Sequence, residues 1–267
     1  MSNMLYPLSL HFAARKIAAG LASVFFPFHQ FEIDNGVVEA EKLLDRDVGL
    51  IVVMNHFSLR DPLQLTGWLF QNRVFSRRDI VAPVAYHRYE WLLRSLCWLM
   101  AIETYPIATP KTIRLRYGIS NRNKAMKLYL ESAVAALAEG SIVFLAPQAG
   151  RRCCLGEPLG HPVGRLFEMA AEKEVHNIGV LLLGFSIPDV VDYGDSSVRG
   201  LNPLRRYDVV VSRPYLFDEI LQQAGSASSI DSWIFAEMAQ LLPPAYQNPS
   251  KFTAGDLVFE RSAYFND

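Results

Sequence analysis

Three short apolar runs constrain the fold of this chain more than any other feature: Gly49–Met54, 141–146 and 178–187. None alternates polar with apolar residues, so none suits a strand with one wet face. Each suits a strand covered on both faces. The segments between them carry helical spacing instead. Met126, Leu130, Ala133, Val134 and Leu137 fall on one side of a helix over about 121–139, and Gly140 sits where a C-terminal cap belongs. Further helices are expected at 62 to about 70, 89–100, 164–173 and 229–242, the last stopped by Pro243-Pro244. A short helix or loop is expected at 37–44, strands at 31–34, 80–84, 102–107 and 207–212, and a polar loop at 189–204. Strand and helix alternate, so the expected fold is α/β: a single domain with a mainly parallel central sheet flanked by helices. No linker divides residues 29–267, and 267 residues suffice for one large core.

Residues 1–28 stand apart as an N-terminal helix. The stretch 4–28 is rich in Leu and Phe, and its only charges, Arg15 and Lys16, lie near the middle. A spanning helix wants about twenty uninterrupted apolar residues. The flanks also lack the basic start and small-residue cleavage site of a signal peptide. The reading is a helix on a membrane surface, with Arg15 and Lys16 reaching the headgroups. An ordinary core helix is the alternative, and insertion as a hairpin with 91–101 is a third. Aromatic core packing is the expectation for Tyr89, Trp91 and Trp98, with an interfacial position as the alternative.

Composition narrows the partners. With 26 basic and 27 acidic residues, nothing pulls the chain toward nucleic acid. Cys97, Cys153 and Cys154 form no metal-ligand pattern, and adjacent cysteines pair poorly, so a reducing compartment is expected. No metal site is expected. Ser186 lies in a Gly-Phe-Ser-Ile-Pro stretch without the second glycine of a hydrolase nucleophile turn.

Two polar turns carry chemistry. Gly49–Met54 leads into Asn55-His56, then Asp61-Pro62 five positions beyond His56. Imidazole titrates near neutrality and can take a proton from an alcohol, while a carboxylate on its other nitrogen fixes the tautomer. Five residues suits a loop that leaves a strand at His56 and returns at a helix start. Asp61 is also a good helix cap in its own right, with Pro62 at the first helical position. The second turn, Pro147-Gln148-Ala149-Gly150-Arg151-Arg152, follows another buried run. Small residues let backbone amides approach a ligand, and arginines match phosphate or carboxylate. A solvated loop with two surface arginines is the alternative.

Together these segments resemble the glycerophospholipid acyltransferase family, typified by lysophosphatidate acyltransferases. That family carries Asn-His, four residues and Asp, with Pro next; here this is Asn55-His56 through Asp61-Pro62. Its Phe-Pro-Glu-Gly-Thr-Arg-Ser block after a helix and strand is similar to 136–152 here. Gly164–Ala170 with 178–183, and the tail Leu242-Pro243-Pro244-Ala245-Tyr246, are similar to later parts of the family, so the likeness runs from about 30 to 248.

The resemblance implies that His56 deprotonates an acceptor hydroxyl and Asp61 orients it. It implies Gln148, Gly150, Arg151 and Arg152 as substrate-binding residues. The donor would be an acyl thioester, acyl-CoA or acyl-ACP, serving as co-substrate with no further cofactor. The acceptor would be a hydroxyl of a lysophospholipid-like or other lipid, as in phospholipid biosynthesis, and the protein would sit on the cytoplasmic face of a membrane. Three departures bear on the acceptor. The family's Glu is Gln148, its Gly-Thr is Ala149-Gly150, and the Arg it carries soon after a strand such as 102–105 is replaced by Pro106 and Ile107. The family's Pro in the later apolar strand is also absent, with Gly179 nearby. They leave the reaction type in place and make a glycerol-phosphate headgroup less obvious. They also raise an alternative, a relative that binds lipid or acyl chains without turnover.

Overall fold

A computed structural model of the chain describes residues 8–25, 27–56, 61–72, 75–85, 91–107, 119–147, 155, 161–187, 206–226, 229–243 and 246. Among them runs one sheet of eight strands: β1 (Phe28–Glu32), β2 (Gly49–Met54), β3 (Ile80–Ala85), β4 (Ile102–Ile107), β5 (Ile142–Leu145), β6 (Ile178–Ser186), β7 (Tyr207–Val211) and β8 (Tyr215–Leu216). The order is β1-β7-β6-β2-β5-β3-β4, with β8 also on β6. The block β6-β2-β5-β3-β4 is parallel throughout. Strands β7 and β8 run antiparallel to β6, and β1 runs parallel to β7. The sheet is therefore mainly parallel, as the apolar runs predict. Every residue of β2, β5 and β6 is buried, which is what a strand with helices on both faces requires.

The helices are α1 (Leu8–Phe25), α2 (Gly36–Asp45), α3 (Asp61–Gln71), α4 (Trp91–Leu99), α5 (Ile119–Ala138), α6 (Pro162–Glu172), α7 (Phe217–Ala224) and α8 (Ile230–Gln240). Connections from β2 through α3 to β3, and on through α4 to β4, step one way across the sheet. Those through α5 and α6 step back. Right-handed crossovers put α3 and α4 on one face and α5 and α6 on the other. Helix α1 packs on α3 and meets α4, while α5 packs on α6 and α6 on α8. On α5 the predicted face is the buried one: Leu130, Ala133, Val134 and Leu137 are enclosed and Met126 is partly so. Gly140 ends it at φ 72°, where Ser141 N donates to Ala136 O at 3.0 Å.

Two devices fix the helical layers. Asp231 of α8, fully enclosed, accepts from the Val163 and Gly164 amides at 3.1 and 2.8 Å and so caps α6 from another element. Burial pushes its carboxyl above the usual range, and the two amide bonds act the other way. The second device is Arg15. Its guanidinium donates to four carbonyls, Ser76 at 2.6 Å, Met100 at 2.7 Å, Arg78 at 2.9 Å and Ala101 at 3.0 Å, and lies 5.3 Å from the Phe70 ring centre. The expectation that Arg15 reaches lipid headgroups is therefore corrected. It is 4% exposed, because the turns leading into β3 and β4 present their carbonyls to it. Lys16 is exposed and lies 4.5 Å over the Phe12 ring.

Helix α7 had no counterpart among the expected elements. Its apolar residues Phe217, Ile220, Leu221 and Ala224 do fall at helical spacing, but eight residues directly after a strand make too short a window for that spacing to stand out. Strand β1 begins at 28 rather than 31 because Phe28 pairs with Tyr207 of β7. The expected loop at 189–204 lies outside the described residues.

Candidate functional site

Strands β2 and β5 are parallel neighbours with Val53 opposite Leu145. The chain after Met54 and the chain after Leu145 thus leave the same edge of the sheet, formed by the carboxyl ends of the parallel strands. In such sheets ligands bind outside that edge. The two polar turns of the sequence start there side by side.

Asn55 makes the exit of β2 rigid. It is 3% exposed, its Nδ2 donates to the Phe185 carbonyl at 2.8 Å, and its Oδ1 accepts from the Phe185 amide at 2.7 Å. A side-chain carboxamide here replaces the next rung of the β2–β6 ladder. The backbone is released from the sheet one residue before His56, which is half-buried at the rim. Sequence reasoning found Asn55 as part of a motif but not this clamp. Its signal was a carboxamide directly after a fully apolar strand, where a buried polar group needs partners.

The other predicted site residues are placed only in part. Asp61 opens α3, so the backbone does return to a helix start five residues after His56. The Asp61 side chain, and Gln148, Gly150, Arg151 and Arg152, lie outside the described residues, as do Cys153, Cys154, Tyr89 and His87. Pro147 is buried as the chain leaves β5. At the rim of β4 stand half-buried Pro106 and Ile107, an apolar surface. Ser186 is 3% exposed within β6. Tyr129 is enclosed and donates to the Phe144 carbonyl at 2.9 Å; burial pushes its phenol far above the usual range, so it is a structural group. Tyr246 is also enclosed, and its hydroxyl accepts from the Ile187 amide at 2.8 Å.

A cleft of about 730 Å³ opens elsewhere, lined by His11, Asp79, Trp98, Glu103 and Glu139. It lies at the amino ends of β3 and β4, the sheet edge opposite His56. Among the described residues no cluster of three or more His, Cys, Asp or Glu could hold a metal, and no helix is long and apolar enough to cross a membrane.

Helix α1 turns Arg15 and Ala19 inward and leaves Leu10, Ile17, Leu21 and Val24 exposed. Those four share one face at helical spacing. On α4, Trp91 is 76% and Trp98 52% exposed, which corrects the core-packing expectation for both. His11 links the two helices: Nδ1 meets the Leu99 carbonyl at 2.9 Å and the ring packs edge-on to Trp98 at 5.7 Å.

The chain matches no family model and no curated protein. Among solved structures it is similar to the 1-acyl-sn-glycerophosphate (LPA) acyltransferase PlsC from Thermotoga maritima, at 16% identity over 88% of this chain and 79% of that one, with a TM-score of 0.41.

Proposed function

We propose that this protein is an O-acyltransferase that moves an acyl group from an acyl thioester to a hydroxyl of a lipid acceptor at a membrane surface. The observation that carries the reading is the Asn55 clamp. It delivers a half-buried imidazole to the carboxyl edge of the sheet, beside the exit of the strand that leads to the arginine-bearing turn.

In the proposed step, His56 takes the proton of the acceptor hydroxyl and the oxygen attacks the thioester carbonyl carbon. The C–S bond of the tetrahedral intermediate then breaks, and the imidazolium returns its proton to the departing thiolate. The roles proposed are Asp61 to orient His56, Gln148 and Gly150 to bind the acceptor or the oxyanion, and Arg151 and Arg152 to bind phosphates of the donor or acceptor. The apolar rim at Pro106 and Ile107 in place of an arginine favours an acceptor recognised by its hydrocarbon more than by a glycerol phosphate. The aliphatic stripe of α1 and the tryptophans of α4 supply a surface for the bilayer interface.

The test is thiol release by the full chain from acyl-CoA and acyl-ACP, with lysophospholipid, glycolipid and simple alcohol acceptors. His56→Ala should lose at least about 100-fold in kcat while folding as the parent does. Undiminished turnover in that variant rejects the mechanism. Saturable lipid binding with no turnover on any acceptor identifies the non-catalytic relative instead.

A further inference from the structure

Helix α8 ends at Gln240, and beyond it the chain turns back on itself, with the Tyr246 amide donating to the Pro243 carbonyl at 2.9 Å. The turn can lie this close to β6 because Gly184 has no side chain: a Cβ there would meet Leu241 Cβ and O at 2.8 Å. It carries Tyr246 inward until 1% is exposed. Two main-chain amides then converge on this residue. Ile187, the first residue past β6, donates to the hydroxyl at 2.8 Å, and Leu155, downstream of β5, donates to the carbonyl at 2.7 Å. Both donors are buried, so each depends on its tyrosine partner.

Phe185, two residues before Ile187, is the residue that Asn55 grips. A continuous run of hydrogen bonds and short peptide segments therefore joins Asn55, Phe185, Ile187, Tyr246 and Leu155. It ties together the chains leaving β2 and β6 and, through Leu155, a residue downstream of β5. We propose that Tyr246 is a positioning residue for the His56 edge: its hydroxyl staples the exit of β6 at Ile187 and its carbonyl holds Leu155, downstream of β5, and together they set how well the edge receives the acyl thioester. This deepens the acyltransferase reading and rests on it. Tyr246 touches no reacting atom.

The test uses the full chain and Tyr246→Phe, which keeps the ring in its enclosure and removes the hydroxyl that accepts from the Ile187 amide. Three quantities are measured: amide hydrogen exchange, steady-state kinetics with acyl-CoA, and calorimetric binding of S-hexadecyl coenzyme A, a thioether that cannot react. Exchange at Ile187 should rise about 10-fold, with β2 and the interior of β6 unchanged. KM for the thioester and Kd for the thioether should rise about five-fold, with kcat and its pH profile retained. Parental exchange at Ile187 overturns the staple. A lower melting temperature with unaltered KM and Kd overturns the positioning role and leaves a structural one. Wild-type protein that binds the thioether but never turns over, with Kd raised in the variant, sinks acyl transfer while sustaining the positioning of a thioester-binding edge.

Discussion

Asn55 and Phe185 are joined twice, once through the carboxamide nitrogen and once through its oxygen, across 130 positions of sequence. The pair is the last link between β2 and β6 before the chain departs for His56. Asn55→Ala leaves the Phe185 amide and carbonyl buried without partners. At about 1–2 kcal/mol for each orphaned group, stability should fall by about 2–4 kcal/mol. The urea midpoint, with its slope unchanged, reads this directly. Asn55→Asp keeps the acceptor for the amide and turns a carboxylate oxygen toward the carbonyl, so it should fare no better than alanine.

Arg15 answers four carbonyls with one planar group. Burial lowers its pKa and Asp79 works against that, yet a guanidinium stays charged at any working pH. Arg15→Met keeps the stem and strands the carbonyls, with an expected cost of about 3 kcal/mol. Arg15→Lys should recover less than half, since one ammonium cannot span the fork. Denaturation gives the magnitude, and limited proteolysis should show the first cuts within α1.

Asp231 predicts a slope with pH. Its folded carboxyl sits above the usual value of about 3.9, held there chiefly by desolvation, so the folded state binds its proton more tightly than the unfolded chain. Its stabilising contribution is complete below the unfolded pKa and is lost as pH rises through the folded one. Asp231→Asn removes that titration at a pH-independent cost. The wild type should lose stability relative to the variant on going from pH 4 toward neutrality. A constant difference in denaturant midpoint across that range counts against the linkage.

The exposed stripe of α1 predicts vesicle binding. Ile17, Leu21 and Val24 are 64%, 54% and 72% exposed, so Glu at each should change folding stability by no more than about 0.5 kcal/mol. Each also removes about 2 kcal/mol of apolar burial in a bilayer interface. The partition constant onto anionic vesicles, read by co-sedimentation, should drop by about 30-fold for each. Equal partitioning of all three variants with the parent rules the stripe out as the contact.

The sequence made the interior of the fold readable wherever burial is two-sided. Gly49–Met54 emerges with the bounds read from the residues alone, as does the edge strand Ile102–Ile107 although only Ile102 of it is buried, and α5 buries the face its spacing named. Information ran out where tertiary partners decide. Arg15 reads as a surface cation until the carbonyls of 76–78 and 100–101 surround it. Helix α7 is too short to stand out, although Phe217, Ile220, Leu221 and Ala224 pack it on the core. Trp91 and Trp98 read as core and face outward. At the candidate site, strand patterning alone was enough to name the two strands, β2 and β5, whose exits lie side by side. The Asn55 clamp and the Tyr246 staple could not, because each acts on main-chain groups whose positions no residue type encodes.

The carbonyls that receive Arg15 belong to residues 61 to 86 positions downstream. During synthesis α1 leaves the ribosome long before β3 and β4 exist, with an unsatisfied guanidinium on one side and bare aliphatic residues on the other. Helix α3, made earlier than either strand, can already pack on α1, but the four carbonyls that hold Arg15 are still missing. A growing chain of this kind completes the seat of α1 only once the turns before β3 and β4 have been made.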